Sequence, residues 1–227
     1  MQKIFSIAID GPAGAGKSTV AKALARELGA MYLDTGAMYR AFGLAMLRAG
    51  VDVNSMSAVA ARADDVDITV EYVDGVQHIS LAGEDVTTAI REPAVSGAAS
   101  SVSAVPEVRA RMVALQRRIA EGHSVVMDGR DIGTVVLPDA QVKIYLTAGV
   151  EVRAMRRYKE YLEKGEPADL AAIEEQIRER DWRDMHRDIS PLRKADDAVE
   201  VDSSDLNIEE TLEKILAIVE EKISGMN

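Results

Sequence analysis

Gly11-Pro12-Ala13-Gly14-Ala15-Gly16-Lys17-Ser18 sets three glycines ahead of a lysine and a hydroxyl, and fits G-x-x-x-x-G-K-[ST] without a mismatch. The glycines let the main chain bend until successive N–H groups point at one anion, and the helix that follows adds the partial positive charge of its first turn. Lys17 is spaced to reach the outer phosphates of a nucleoside triphosphate, and Ser18 to offer its hydroxyl to Mg2+; Thr19 completes the set. A glycine-rich turn with no ligand is the alternative. The context speaks against it, because the apolar run Ile4 to Ile9 precedes the loop and an amphipathic stretch follows.

Three further clusters carry arginine where a second anion could lie. In Asp34-Thr35-Gly36-Ala37-Met38-Tyr39-Arg40, either Thr35 caps a helix and Arg40 is solvated, or the helix start and the Arg40 fork hold phosphate oxygens. In Asp128-Gly129-Arg130-Asp131, the first acid ends an expected strand. Such an acid holds magnesium, often through water, or is a plain strand-end turn residue. Arg130 beside it would neutralise charge where phosphates meet. In Arg180-Asp181-Trp182-Arg183-Asp184-Met185-His186-Arg187, offsets of three, four and seven put Arg180, Arg183, Asp184 and Arg187 on one helix face. Intrahelical ion pairing accounts for several of these. A stripe of three arginines nevertheless repels itself unless an anion lies opposite.

The elements that must position these residues follow from periodicity. Expected strands are Ile4 to Ile9, Met31 to Leu33, Ser124 to Met127, Val142 to Leu146 and Ala198 to Val201. Expected helices are Ser18 to Leu28, Ala37 to Ala49, Ser55 to Ala63, Glu92 to Val102, Pro106 to Ala120, 150 to 164, 169 to 187 and Ile208 to Ser224. Asn207 and Glu210 form a capping pair ahead of the last one. From 66 to 90 the period changes to two: Ile68, Val70 and Tyr72 alternate with polar residues, Asp74-Gly75 turns, and a short strand lies near Val86. That patch is an inserted antiparallel sheet. The whole predicts an α/β fold, a parallel sheet flanked by helices in one domain over 1–227, with a small antiparallel subdomain and a short helical lid at 150–167.

Composition narrows the chemistry. The 227 residues include no cysteine, which removes disulfides, thiolate zinc sites and cysteine nucleophiles. A net charge of -11 argues against nucleic acid as a partner. The stretch 151–194 is neutral, with 11 basic and 11 acidic residues, so it is either a salt-bridged helical surface or a locally cationic one. No stretch is long enough for a signal peptide or a membrane span, and a cytoplasmic monomer is expected. His78, His123 and His186 are too scattered for a metal site, Trp182 is expected in the core, and the ten methionines read as core filler.

Two classes of protein bear such a loop: a small-molecule kinase, and a nucleotide-controlled switch or motor. No guanine-reading Asn-Lys-x-Asp stretch is present, and the chain is short for a motor. The start at Asp10-Gly11-Pro12, the Leu33-Asp34-Thr35-Gly36 stretch running to Tyr39-Arg40, Asp128-Gly129-Arg130-Asp131 with Gly133-Thr134-Val135, and Glu179-Arg180-Asp181 with Arg183-Asp184 together resemble the bacterial cytidylate kinases from Ile7 to about Ser204. That resemblance implies a P-loop nucleotide kinase moving the γ-phosphoryl of ATP, with Mg2+, to CMP or dCMP; a UMP/CMP preference is the nearest alternative. It assigns the acceptor phosphate to Arg40, Arg130 and Arg187, the ribose to Arg180 and Asp184, and cytosine to Ser100, Arg109 and Asp131. Thr35 and Tyr39 are expected beside the acceptor, and Arg153 and Arg157 of the lid beside the ATP phosphates. The inserted sheet fits that family's enlarged monophosphate-binding lobe.

Overall fold

The computed structural model describes residues 4–224; the ends of the expected 1–227 domain lie outside the described residues. In chain order come β1 (Ser6–Asp10), α1 (Lys17–Glu27), β2 (Met31–Asp34), α2 (Thr35–Arg48), α3 (Met56–Ala60), β3 (Ile68–Val73), β4 (Val76–Leu81) and β5 (Glu84–Asp85). There follow α4 (Pro93–Val102), α5 (Pro106–Ala120), β6 (Val125–Gly129), β7 (Val142–Thr147), α6 (Val150–Glu163), α7 (Leu170–His186), β8 (Val199–Asp202) and α8 (Ile208–Ser224). The chain divides into two compact units: Met31–Gly122, and the segments on either side of it.

In the flanking unit, β1 pairs in parallel with β6 on one side and β7 on the other, and β7 with β8. Ile7, Ala8 and Ile9 are fully buried, as an apolar run covered on both faces must be. Helices α1 and α8 pack together, α1 on β6 and α8 on β7. The register sets Ile9 opposite Asp128 and Asp10 opposite Gly129, so the phosphate loop leaves β1 beside the end of β6. Gly11 is obligatory there: a Cβ would sit 1.9 Å from the Leu146 carbonyl oxygen, at φ +149°.

Strand β6 runs two residues beyond its expected end, because the ladder with β1 continues through Asp128 and Gly129. It is followed by a π-helical turn, Ile132–Val136, that periodicity does not announce. Helices α6 and α7 form a hairpin with its own small core: Ala154, Ile173 and Ile177, covered by Val150, Tyr158, Tyr161 and Leu170. Gly165, at φ +71°, breaks the chain between them as its position predicts. The capping pair ahead of α8 is present, Asn207 and Glu210 each accepting the other's backbone N–H at 2.9 and 2.8 Å.

In the Met31–Gly122 unit, α2 crosses α4 so closely that a Cβ on Gly43 would lie 2.9 Å from the Ala99 nitrogen. The antiparallel sheet has the order β3-β4-β5, with Ile68 opposite Leu81 and Val73 opposite Val76. Asp74 and Gly75 both take positive φ, 50° and 75°, the requirement of a tight hairpin turn. The expected short strand near Val86 is Glu84–Asp85, and the helix expected over 55–63 ends at Ala60 and continues in turns. Gln77 of β4 ties the sheet to the end of β2, accepting from Asp34 N at 2.7 Å and donating to Asp34 O at 3.3 Å. Among the described residues no helix is long and apolar enough to cross a membrane.

Candidate active site

The loop Gly11–Ser18 wraps the start of α1 with Gly14 and Gly16 in left-handed conformations, φ +78° and +86°, which glycine alone adopts without strain. Lys17 is buried, and its ammonium donates to the Pro12 carbonyl at 2.7 Å, folded back over the loop it belongs to. Burial pushes that ammonium well below the ordinary lysine range, and Arg130 and Arg180 push it further, against the opposing pull of Asp128 and Asp10. Positive charge therefore converges at the loop. Phosphate oxygens brought there would reverse the effect.

Ser18 Oγ donates to Asp128 Oδ2 at 2.8 Å. A hydroxyl and a carboxylate thus stand side by side at the loop. An all-oxygen pair of this kind suits Mg2+, which takes few protein ligands and completes its octahedron with water and phosphate oxygens. Asp10, the last residue of β1, accepts from Ile132 N at 2.8 Å and Gly133 N at 2.7 Å and so anchors the turn that follows Arg130 and Asp131. Burial outweighs those two bonds and raises its pKa to about 6.

Arg130 donates from Nε to Asp184 Oδ2 at 2.9 Å and from Nη1 to its neighbour Gly129's carbonyl at 3.2 Å. Burial opposes the charge on Asp184, but Arg130, Arg180 and Arg187 together hold its carboxyl below the usual range. Arg187 closes α7, donates to the Ser190 carbonyl at 2.6 Å, and lies 4.0 Å from Asp131. The acids that pair with the arginines are interleaved with them, so the stripe is partly neutralised from within. Arg183 does not belong to it. The inward face of α7 is Ile173, Ile177, Asp181 and Asp184, which leaves Arg183 exposed.

That same inward face corrects the expectation for Trp182, which is 63% exposed and stacks on His186 at 4.7 Å between ring centroids. His186 is on the helix surface as expected. Met38, Met46, Met112 and Met127 are core residues, but Met56, Met155 and Met185 are exposed. In α6, Arg157 donates to the Tyr161 hydroxyl at 3.0 Å. Arg153 is buried, with all three of its guanidinium nitrogens on protein acceptors: the carbonyls of Ala148 and Ala13 and the carboxylate of Asp181.

In the Met31–Gly122 unit, Asp34 rather than Thr35 caps α2, accepting from Ala37 N at 2.8 Å. Its other oxygen takes the Arg40 guanidinium at 2.8 Å, so Arg40 is neither solvated nor loose. Thr35 is buried in the first turn. The Arg109 guanidinium lies 5.7 Å from the centre of the Tyr39 ring and donates to the Ser103 carbonyl at 3.3 Å. Ser103 donates its hydroxyl to the Ser100 carbonyl at 2.9 Å. Tyr39, Ser100 and Arg109 are therefore gathered in one neighbourhood of this unit. No role for Asp10, Asp34 or Asp181 follows from the local pattern of the sequence. A carboxylate directly after the apolar residues Ile7, Ala8 and Ile9, as Asp10 is, is the available signal, since a buried charge requires partners.

The family model for cytidylate kinase matches residues 7–221. The cytidylate kinase of Caldicellulosiruptor saccharolyticus is 50% identical over 218 residues, 96% of each chain. That of Geobacillus kaustophilus is 51% identical over 223 residues, 98% of this chain and 100% of the relative. Among solved structures, a shikimate kinase from Bacteroides thetaiotaomicron has a TM-score of 0.51 at 13% identity, covering 96% of this chain and 99% of its own, a likeness of fold alone.

Proposed function

This chain belongs to the cytidylate kinase family, and we propose that it moves the γ-phosphoryl group of ATP to CMP or dCMP, giving ADP and the diphosphate. The observation that carries the reading is the loop itself, with Lys17 buried at the start of α1 and Ser18 bonded to Asp128 at 2.8 Å, followed at the end of β6 by Arg130, bonded to Asp184 at 2.9 Å, and by Asp131, 4.0 Å from Arg187. Such a set matches a group that bears charge on every oxygen as it moves.

No strong base is needed, because a monophosphate acceptor is already an anionic nucleophile. Catalysis is positioning and charge stabilisation. Loop N–H groups and Lys17 hold the ATP phosphates; Ser18 and Asp128 hold Mg2+, which supplies charge neutralisation when bound. Arg130 and Arg187 take the acceptor phosphate and Arg180 with Asp184 the ribose, and in the other unit Arg40 is assigned to that phosphate. For the base, Asp131 accepts from the cytosine amino group, and Ser100 and Arg109 satisfy its N3 and O2. Uracil reverses the polarity at two of those atoms and would leave polar groups unpaired. The α6 segment serves as a lid that excludes water. Its nucleotide substrates place the work in the cytoplasm, and the reading requires only one chain.

ADP release from ATP and Mg2+, measured with each nucleoside monophosphate in turn, tests this. Strong stimulation by CMP and dCMP is expected, with UMP weak. Stimulation by a protein or nucleic acid alone would instead mark a nucleotide switch or motor.

A further inference from the structure

Arg153 has a use that phosphate binding does not describe. Its Nε donates to the Ala148 carbonyl at 2.8 Å, its Nη1 to the Ala13 carbonyl at 3.0 Å, and its Nη2 to Asp181 Oδ2 at 2.7 Å. The side chain is buried, and its stem runs along the phosphate loop so closely that a Cβ on Gly14 would lie 3.3 Å from Arg153 Cβ. One guanidinium thus grips the loop at Ala13, the chain just past β7 at Ala148, and helix α7 at Asp181. Only a rigid, planar fork meets three acceptors in three directions, and a lysine head could serve one or two of them.

A buried ion pair is weak evidence of stability, since apolar residues of the same volume do as well. What this pair fixes is position. Asp181 follows Arg180, which acts on Lys17, and precedes by one turn's spacing Asp184, which holds Arg130. Asp181 Oδ1 is itself buried without a hydrogen-bond partner, so the carboxylate has the arginine as its one anchor among the hydrogen bonds described.

We propose that Arg153 is a positioning residue that joins the phosphate loop to α7 through Asp181, so that nucleotide settling in the loop is felt at the helix carrying Arg180 and Asp184. This rests on the loop binding a nucleoside triphosphate, but not on CMP being the acceptor.

The chain supplies its own reporter. Trp182, its single tryptophan, neighbours Asp181 and is exposed. The full chain is titrated with a non-hydrolysable ATP analogue and Mg2+, with affinity read by calorimetry and α7 by Trp182 emission. Binding by the unaltered chain changes the emission. R153M and D181N bind the analogue within about threefold of the unaltered chain, yet lose most of the emission change. R153K, keeping part of the fork's contacts, falls between. Should R153M leave Asp181 buried and unpaired and fail to fold, R153M/D181L removes both charges, and together with D181N it decides the matter. The inference is overturned if Arg153 variants lose about tenfold or more in analogue affinity while D181N keeps both affinity and emission change, because Arg153 is then a direct phosphate ligand. It is equally overturned if the emission change survives in every variant, or is absent in an unaltered chain that binds the analogue. No analogue binding at all by the unaltered chain would sink the kinase reading itself, along with this inference.

Discussion

In the unit that carries the phosphate loop, charge lies inside: Asp10, Lys17, Asp128, Asp131, Arg153, Asp181 and Asp184 are all buried. In the Met31–Gly122 unit the ion pairs Arg48–Glu84, Arg62–Asp65 and Arg111–Asp64 stand at the surface, the pair Arg40–Asp34 is shielded, and the buried charges are Asp34 and Arg109. Burying a charge is unfavourable unless partners replace its water, so the first unit is built against its own stability. The return is a set of charges that need not reorganise when a phosphoryl group moves, which is where electrostatic catalysis draws its strength. The second unit follows the usual rule, with an apolar core formed where α2 meets α4 and an ionic surface. Changing the buried charges of the first unit should therefore be costly, and changing the surface pairs of the second cheap.

The largest effect is expected at Lys17. Lys17→Ala removes the ammonium proposed to hold the ATP phosphates and should lower turnover by about a hundredfold to a thousandfold, about 3–4 kcal/mol of transition-state stabilisation. Steady-state ADP release with CMP measures it, and a loss under about tenfold would break the contrast at its strongest point. Next comes Asp184→Ala, which strips Arg130 of its carboxylate where the two side chains are 20% and 9% exposed. Breaking such a shielded pair should cost about 2–3 kcal/mol in urea unfolding at neutral pH. A change within about 0.5 kcal/mol would place it with surface residues and remove the distinction.

How much of this the sequence disclosed varies from element to element. Helix α5 runs over the residues expected, Pro106–Ala120, because a proline opens it and two arginines close it. The hairpin β3-β4 is legible from alternation and Asp74-Gly75, and the loop from its spacing alone. What local pattern cannot hold is a partner far along the chain. The turn Ile132–Val136 is β-prone in composition, yet Asp10, some 122 residues earlier, bends it by taking two of its N–H groups. Arg153 reads as a basic residue at the start of a lid, and its burial is set by Ala13 and Asp181, 140 and 28 residues away. Arg40 and Trp182 were likewise decided by what packs around them: the Asp34 carboxylate, and the inward stripe of α7.

The contrast can be sharpened with pH through Asp10, whose folded pKa of about 6 lies above the ordinary 3.8. The groups facing it are Asp131, Lys17 and Tyr145, with the Lys143 stem across Gly133. A raised carboxyl pKa means that the folded chain takes up this proton before the unfolded chain does. Its contribution to stability is therefore fullest below the ordinary value and is lost as pH rises through about 6. From pH 7 to pH 5 the unaltered chain should gain about 1 kcal/mol relative to Asp10→Asn in urea unfolding. A constant difference across that range would show that the burial of Asp10 carries no such cost.

The smallest effect belongs to Arg48 and Glu84. Their geometry is favourable, two parallel bonds of 2.8 and 3.0 Å. The guanidinium is held above and the carboxyl below its ordinary range by that contact. Yet the side chains are 44% and 61% exposed, so water and salt screen the attraction, and two long side chains lose rotamer freedom to make it. If placement rather than geometry decides the worth of a charge here, Arg48→Ala, Glu84→Ala and the double variant should all melt with the unaltered chain, at low salt and at high. A melting loss comparable to that of Asp184→Ala would mean that the Met31–Gly122 unit leans on its surface charge as heavily as the loop-bearing unit leans on its buried charge.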